Sequence, residues 1–368
     1  MASNSSDKSS GVAGARPAAA VILAAGKSTR MKTELPKVMH EICGQPMLSY
    51  VLGACRAAGI ERFLVVVGFA KEAIISAYEG EPGVEFVEQI EQKGTGHAVS
   101  MCTPALQGFH GDVVVIAGDM PMIRPETLKT LIASHRAAGA GASIATTILD
   151  EPFSYGRIVR SSSGEFERIV EHRDCTPEQL KIKEVNPSYY CFDAKDLLAA
   201  LPKVQPNNAK GEYYITDVLE ITKKSGRPVC ATTQVPAVDA VGINSRVDLA
   251  DVAKLMQRRI QNRWMEDGIT IVDPETTWID SRAQIGADCE IKPFSYIEGH
   301  ARIGARCVVG PYAYIGDGAI VEDESIVGPG VLTAIDTTVH PKRSAGSIGR
   351  RAATVHRQPP VQSERAGT

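Results

Sequence analysis

A cluster of cations follows a short apolar run near the start of the chain, and the spacing of three of them indicates phosphate binding. The apolar residues 18–22 indicate a buried strand, residues 24–26 are small, and the cations Lys27, Arg30 and Lys37 follow. Small residues let the backbone approach a ligand, and loop amides and cations can bind several phosphate oxygens. The segment lacks the three glycines of a dinucleotide-binding loop and the Gly-Lys-Ser/Thr of a Walker loop. A strand end followed by a solvated basic loop is the alternative.

A second strand end supplies a carboxylate. Residues 113–118 form an apolar run that ends in glycine, and Asp119 follows it. A carboxylate at a strand end can hold Mg²⁺ through a hard oxygen ligand, although Asp-x-Pro also favours turns. Ligands of parallel α/β sheets bind outside the carboxyl ends of the strands. We therefore expect Asp119 and the loop at residues 23–26 to face one crevice.

The elements that must position these residues alternate along the chain. From residue 18 to about 240, short β-rich apolar runs alternate with helical patterns at residues such as 46–58 and 124–138. This alternation predicts an α/β fold, Rossmann-like, with a mostly parallel sheet and helices on both faces. Apolar residues three or four apart then predict an amphipathic linker helix over residues 246–268.

A six-residue period follows the linker helix and predicts a short left-handed parallel β-helix. Large aliphatic residues would fill its axis, and a small residue two positions before each would fit the tight corners. The aliphatic positions are Ile279, Ile285, Ile291, Ile297, Ile303, Val309, Ile315, Val321 and Val327. After Thr333 the pattern lapses into a polar, basic segment.

Composition limits the class of protein. The 368 residues indicate more than one domain, and a net charge of −3 gives no support for nucleic-acid binding. No apolar run approaches the ~20 residues that span a bilayer, and the polar start of the chain is not a secretory signal. The eight cysteines form no CxxC motif, which favours reduced thiols and a cytoplasmic location over structural zinc.

The whole segment from Leu23 to His40 resembles the signature of sugar-nucleotide pyrophosphorylases. Residues 35–40, Leu-Pro-Lys-Val-Met-His, are similar to those of the bacterial bifunctional N-acetylglucosamine-1-phosphate uridyltransferase and glucosamine-1-phosphate acetyltransferase family. The resemblance continues in the family's order through blocks at residues 91–98, 118–121, 155–159, 169–172, 211–217 and 242–246. It covers about residues 20 to 280.

The resemblance implies that UTP reacts with N-acetylglucosamine 1-phosphate to give UDP-N-acetylglucosamine and pyrophosphate. Arg30, Lys37 and Asp119 would be catalytic, and Asp119 and Asn244 would hold Mg²⁺. The nucleophile is an anionic phosphate oxygen, so the site needs positioning and charge neutralisation rather than covalent catalysis. The implied substrate-binding residues are Leu23, Ala24, Ala25, Gly26, Gln89, Gly94, Thr95, Gly118, Gly156, Glu171, Asn186 and Asn244, of which Gly156, Glu171 and Asn186 match positions that hold the sugar.

The patterns along the chain and the resemblance together set the expected domains and leave alternatives open. The domains are a disordered leader at 1–17, the nucleotidyltransferase domain at 18–245, the linker helix at 246–268, the β-helix at 269–333 and a disordered tail at 334–368. A nucleotidyltransferase for another sugar 1-phosphate or nucleotide, and a non-catalytic nucleotide-binding trimer scaffold, are the rival functions. We expect a homotrimer through the β-helix, with neither nucleic acid nor membrane as a partner.

Two differences from the family and two histidines complete the expectations. Family members continue the β-helix for more coils and carry an acetyltransferase site there, so we expect no acetyltransferase activity from this chain. Asn186-Pro187-Ser188 replaces the usual Asn-Thr/Ala-Gly, and Ala117 replaces a larger aromatic residue. His97 and His40 are expected to have structural roles, because the reaction needs no general base.

Overall fold

The computed structural model describes residues 16–27, 29–333, 336–341, 351–352 and 354–356. Contacts group the chain into two compact units. The first comprises residues up to Met39 together with Leu48–Gly242, and the second comprises His40–Met47 and the residues from Ile243 onwards. Most of the predicted leader and tail lies outside the described residues.

A nine-stranded sheet forms the centre of the first unit, in the order β11-β7-β10-β6-β1-β4-β5, with β8 and β9 attached beside β10. Strands β1, β4, β5 and β6 run parallel, as β7 and β11 do, whereas β10 is antiparallel to β6 and β7. The predicted mostly parallel sheet is confirmed. The strands are β1 Ala18–Leu23, β4 Arg62–Val67, β5 Val84–Glu88, β6 Asp112–Ala117, β7 Ala142–Ile148, β8 Gly156–Arg160, β9 Phe166–Val170, β10 Glu184–Asp193 and β11 Val229–Thr233.

Helices bury both faces of this sheet, because residues of β1 alternate between two cores. Ile22 packs with α1, α2 and α5 on one face, whereas Val21 packs with α3, α4, α6 and α7 on the other. The helices are α1 Met47–Ala57, α2 Lys71–Tyr78, α3 Thr95–Ser100, α4 Thr103–Leu106, α5 Pro125–Ala137, α6 Ala194–Ala200, α7 Asp217–Lys224 and α8 Arg246–Glu266.

The predicted linker helix is α8, which belongs to the second unit. Ser245 caps it by accepting the Asp248 N–H, while the Asp248 carboxylate accepts from the Ser245 N–H, so the capping box is complete. Val252, Met256 and Ile260 are buried as the periodicity predicts, although Leu255 is partly exposed. A hairpin of β2 Glu41–Ile42 and β3 Gln45–Pro46 completes the non-repetitive part of this unit.

Short strands then stack in three sheets, β12-β15-β18-β21-β24, β13-β16-β19-β22 and β14-β17-β20-β23-β25. Neighbouring strands pair in parallel, as expected for the left-handed β-helix, except that β25 is antiparallel to β23. From β13 to β23, paired strands lie eighteen residues apart, for example Trp278 and Tyr296. The strands are β12 Thr270–Ile271, β13 Trp278–Ile279, β14 Gln284–Ile285, β15 Glu290–Ile291, β16 Tyr296–Ile297, β17 Arg302–Ile303, β18 Val308–Val309, β19 Tyr314–Ile315, β20 Ile320–Val321, β21 Ser325–Val327, β22 Leu332–Thr333, β23 Thr338–His340, β24 Arg351–Ala352 and β25 Thr354–His356.

The aliphatic positions predicted for the axis are all buried. The repeat also continues beyond its predicted end at Thr333. Strand β23 pairs with β20, and Val339, the axial position six residues after Thr333, is fully buried. Thr333 occupies the axial position between Val327 and Val339, and a polar residue there concealed the period. Among the described residues, no helix combines the length and the apolar character needed to cross a membrane.

Candidate active site

The carboxyl ends of three parallel strands are level, which brings their loops together. Leu23 at the end of β1 lies opposite Val66 of β4 and Ala117 of β6. The Ala24 N–H donates to the Val66 carbonyl at 2.9 Å, and the Gly118 N–H donates to the Leu23 carbonyl at 3.0 Å. The loops after β1 and β6 are therefore held at one edge, as the sequence predicts.

Lys37 and Asp119 meet at this edge. The Lys37 ammonium forms an ion pair with Asp119 Oδ2, and both side chains are largely buried, with exposed fractions of 16% and 19%. Lys37 begins a short 3₁₀ turn that the buried Val38 anchors. A Cβ on Gly118 would lie 3.1 Å from a Val38 methyl carbon, so glycine lets this turn pack against the end of β6.

The loop after β1 presents the other predicted cations towards solvent. Ala24 and Ala25 are buried, whereas Gly26, Lys27 and Arg30 are exposed. Arg30 lies in a 3₁₀ turn that the fully buried Met31 fixes to the core. The open backbone at Gly26, where a Cβ would meet nothing within 4 Å, is available for close approach by a ligand.

Gln89 lies at the same edge, directly after β5, and is 4% exposed. Its Nε2 lies 3.1 Å from the Gly94 carbonyl oxygen and 3.0 Å from His97 Nδ1. With both amide hydrogens used in this way, Gln89 keeps its side-chain oxygen as an acceptor for a ligand. His97 then accepts at Nδ1, which agrees with its expected structural role.

Gly94 and Thr95 form the turn into α3. Gly94 has a φ of +108°, and a Cβ there would lie 2.5 Å from the Tyr213 carbonyl oxygen. The Thr95 hydroxyl accepts the Ile215 N–H at 3.1 Å. This turn therefore requires glycine for both its backbone conformation and its packing.

The predicted sugar-binding residues converge at β8, β9 and β10. Gly156 of β8 lies opposite Asn186 of β10, and a Cβ on Gly156 would lie 3.4 Å from Glu171 Oε1. Asn186 is 5% exposed. Burial raises the pKa of the Glu171 carboxyl above its usual value, and Lys210 opposes the shift.

Sequence reasoning missed two side chains that shape these loops. Gln92 donates to the Ala25 carbonyl at 2.7 Å and accepts from the Lys27 N–H at 3.3 Å, which links the loops after β1 and β5. Arg157, 3% exposed, donates to the Phe153 carbonyl at 3.2 Å and so holds the loop before β8. The local sequence around these residues gives no indication of either contact.

Asn244, the predicted second metal ligand, belongs to the second unit. Its backbone N–H donates to Asp248 Oδ2 at 2.9 Å, beside the cap of α8. Within the described ranges, no group of three or more histidine, cysteine, aspartate or glutamate side chains is arranged to hold a metal. The pairing of Asp119 with Asn244 stays a prediction.

Comparisons with known proteins agree with both parts of the fold. The family model for a MobA-like NTP transferase domain matches residues 20–212. The model for six bacterial transferase hexapeptide repeats matches residues 282–316 and 300–334. The first match covers the central sheet through β10, and the second covers the stacked coils.

Curated relatives match across both parts of the chain. Bifunctional protein GlmU of Pelotomaculum thermopropionicum is 44% identical over 277 residues, which cover 75% of this chain and 60% of the relative. The proteins of the same name from Geobacter metallireducens and Geobacillus thermodenitrificans are 44% and 45% identical, over 58% and 59% of their lengths. The chain thus spans about 60% of the length of these relatives.

Proposed function

The chain belongs to the MobA-like NTP transferase domain family, and we propose that it is a nucleotidyltransferase that joins UTP to N-acetylglucosamine 1-phosphate and releases pyrophosphate. The observation that carries this proposal is the Lys37–Asp119 ion pair beside the loop after β1. It places a cation and a carboxylate where the loops after β1 and β6 are hydrogen-bonded together. The similarity to bifunctional GlmU proteins supports the choice of substrates.

Positioning and charge neutralisation account for the chemistry. The sugar phosphate oxygen is already anionic, attacks the α-phosphate of UTP in line, and displaces pyrophosphate. Lys37 and Arg30 would bind phosphate oxygens and neutralise the charge that accumulates as the groups approach. The open backbone at Gly26 would let the triphosphate lie close to the loop, while Gln89 would accept from the uracil N–H.

Asp119 fits a magnesium ion. Mg²⁺ in nucleotide sites is held by one or two carboxylates together with substrate phosphates. The Lys37 ammonium pairs with Asp119 Oδ2, so this carboxylate already has a cation beside it. Asp119, with Asn244 as the second oxygen donor, would hold the ion. When bound, Mg²⁺ supplies Lewis-acid stabilisation of phosphate charge.

Pyrophosphate release by the purified chain tests the proposal. UTP and dTTP are each paired with N-acetylglucosamine 1-phosphate, glucosamine 1-phosphate and glucose 1-phosphate in the presence of Mg²⁺. We expect the highest kcat/KM with UTP and N-acetylglucosamine 1-phosphate. Preference for dTTP or another sugar would favour a different nucleotidyltransferase, and no release with any pair would favour a non-catalytic nucleotide-binding scaffold.

A further inference from the structure

Strand β10 is interrupted where it passes the predicted sugar-binding residues. Its register with β7 shifts between Val185 and Tyr189. Within this interruption Ser188 has a φ of +66°, a left-handed conformation that residues with a side chain rarely adopt. Non-glycine residues persist in such conformations where surrounding contacts fix them, often at functional sites.

The contact that Ser188 makes fixes one end of the Asn186 side chain. The Ser188 N–H donates to Asn186 Oδ1 at 2.9 Å. Asn186 Nδ2 lies 2.7 Å from the hydroxyl oxygen of Tyr190, to which it donates. Reversal of the amide would place its NH₂ group against the Ser188 N–H, two donors facing each other. The Asn186 amide is therefore held in one orientation.

Tyr190 is a rigid partner for this amide. It is 1% exposed, and its ring stacks on Phe192 with centroids 5.9 Å apart. Burial raises the pKa of the Tyr190 hydroxyl well above its usual value, so it stays neutral. The hydroxyl can accept from Asn186 and still donate one hydrogen bond of its own.

We propose that Tyr190 and the Ser188 backbone are positioning residues that make the site select a sugar 1-phosphate bearing an acylamino group over one bearing a hydroxyl. The oriented Asn186 amide retains one N–H and one oxygen lone pair, which complement the C=O and N–H of a secondary amide. Gly156 lies opposite Asn186, and Glu171 adjoins Gly156. The inference rests on the proposed function, because it assumes that a sugar 1-phosphate binds here.

Tyr190→Phe removes the hydroxyl and keeps the ring. The measured quantity is the ratio of kcat/KM for N-acetylglucosamine 1-phosphate to that for glucose 1-phosphate. We expect this ratio to fall about tenfold, because a mispositioned amide loses a hydrogen bond that only the acylamino substrate forms. The KM for UTP should stay within about twofold, since Tyr190 acts on the sugar side alone.

Tyr189→Phe is the matched control. Tyr189 is the preceding residue of β10, is fully buried, and donates to the Asp239 carbonyl at 2.8 Å. Both variants lose a buried tyrosine hydroxyl and should lower the melting temperature, but only Tyr190→Phe should change the substrate ratio. An unchanged ratio in Tyr190→Phe, or an equal fall in Tyr189→Phe, would overturn the inference.

Ser188→Gly separates the backbone from the hydroxyl. Glycine adopts the same φ without strain and keeps the N–H that binds Asn186 Oδ1. We expect the substrate ratio to stay within about twofold of the parent chain. A fall as large as that of Tyr190→Phe would contradict the assignment of the effect to the Ser188 N–H.

A binding measurement separates this inference from the proposed function. Calorimetric affinities for UDP-N-acetylglucosamine and UDP-glucose give the same selectivity ratio without turnover. A parent chain that binds UDP-N-acetylglucosamine but releases no pyrophosphate with any substrate pair would refute the proposed function alone. Equal affinities for the two compounds in the parent chain would refute the inference.

Discussion

At the scale of single residues, Lys37 and Asp119 hold each other in place in the proposed site. Each is more than four-fifths buried, and each satisfies the charge of the other. In the proposed reaction, Lys37 would give up its ion pair with Asp119 and contact the phosphate oxygens of the substrate instead. The contact therefore gives both residues a defined geometry before binding, which lowers the ordering cost on binding.

We expect Asp119→Ala to reduce turnover by roughly a thousandfold, because metal-assisted charge stabilisation is worth several kcal/mol. Pyrophosphate release at saturating UTP measures the loss, and circular dichroism should show an intact fold. The melting temperature should fall, because the largely buried Lys37 ammonium loses its partner. Asp150→Ala is the control, since Asp150 pairs with Lys183 on the surface and is 97% exposed. Near-normal turnover of Asp119→Ala would rule out the metal-binding role.

The second prediction concerns the stability of the first unit in acid. His135 is 2% exposed, with Nδ1 2.9 Å from the Ser143 hydroxyl. Burial lowers its pKa below the usual value of 6.5, although Asp112 opposes the shift. Below pH ~6.5 the unfolded chain therefore binds a proton that the folded chain does not. The contribution of neutral His135 to the free energy of unfolding is fully present above that pH. It is lost as the pH decreases towards the pKa of His135 in the folded state.

We expect His135→Gln to flatten this dependence between pH 7.5 and pH 5.5. Urea unfolding at both pH values gives the change in free energy of unfolding for each protein. His300→Gln changes an exposed histidine and should leave the slope as it is in the parent chain. If the free energy of unfolding of His135→Gln changes with pH as steeply as that of the parent chain, other groups cause the acid sensitivity.

Single residues also show how far the sequence alone can lead. Asp119 and the loop at residues 23–26 follow apolar runs that predict strands, so their convergence follows from the rule for parallel sheets. The role of Lys37 came from the family resemblance, and its contact with Asp119 was not predicted. Tyr190 and Arg157 gave no such signal, because their roles depend on contacts with a bulge and a loop. A sequence pattern cannot show which side chain Tyr190 holds.

At the scale of elements, the β-helix illustrates the same difference. Its axial residues follow from the six-residue period, because a large aliphatic side chain is needed at each turn of the coil. The small residues before each axial position were also predicted, but a further six-residue register of backbone corners in the left-handed conformation was not. Only two of them carry glycine, and the positions are Asp288, Phe294, Arg306, Tyr312, Gly318, Glu324, Gly330 and Asp336. Without glycine at most corners, composition gives no indication of them.

Helix α8 closes the open edge of strand β13. Gln257 donates to the Ile279 carbonyl at 2.6 Å and accepts from the Ile279 N–H at 3.0 Å. Gln261 donates to the Thr277 carbonyl at 2.7 Å. The two glutamines, both buried, thus supply the hydrogen bonds that a preceding strand would make.

Gln257→Leu should destabilise the second unit by about 2–4 kcal/mol, because two buried backbone groups lose their partners. Both tryptophans of the chain, Trp264 and Trp278, lie in this unit. Tryptophan fluorescence during urea unfolding therefore reports on it selectively. Gln284→Leu, on an exposed glutamine of β14, should change the free energy of unfolding by less than about 0.5 kcal/mol. Equal effects of the two substitutions would contradict the capping role.

At the scale of the whole molecule, the proposed homotrimer needs apolar surface on the β-helix. The sheet that contains β16 and β22 carries Tyr296 and Leu332 on its outside, and they are 43% and 70% exposed. The rings of Trp278, Tyr296 and Tyr314 stack along this sheet with centroids about 6 Å apart. Exposed apolar patches of this kind mark protein interfaces.

Light scattering with size-exclusion chromatography should give a mass three times that of the 39.4 kDa chain. Leu332→Asp should shift the protein towards smaller species, because an interface that buries a charge is destabilised. Val247→Asp, at a 71% exposed position of α8, should leave the mass unchanged. A monomer at micromolar concentration for the parent chain would contradict the proposed trimer.

The glutamines of α8 also bear on how such a chain can lengthen. In the described coils between β13 and β23, each strand is bonded to the strand eighteen residues further along the chain. A duplicated segment of that length, inserted after the capped coil, would reproduce the contacts on both of its sides. The same duplication before that coil would separate Gln257 and Gln261 from Ile279 and Thr277. Gene duplication can therefore extend this module towards its carboxyl end while leaving the capped end constant.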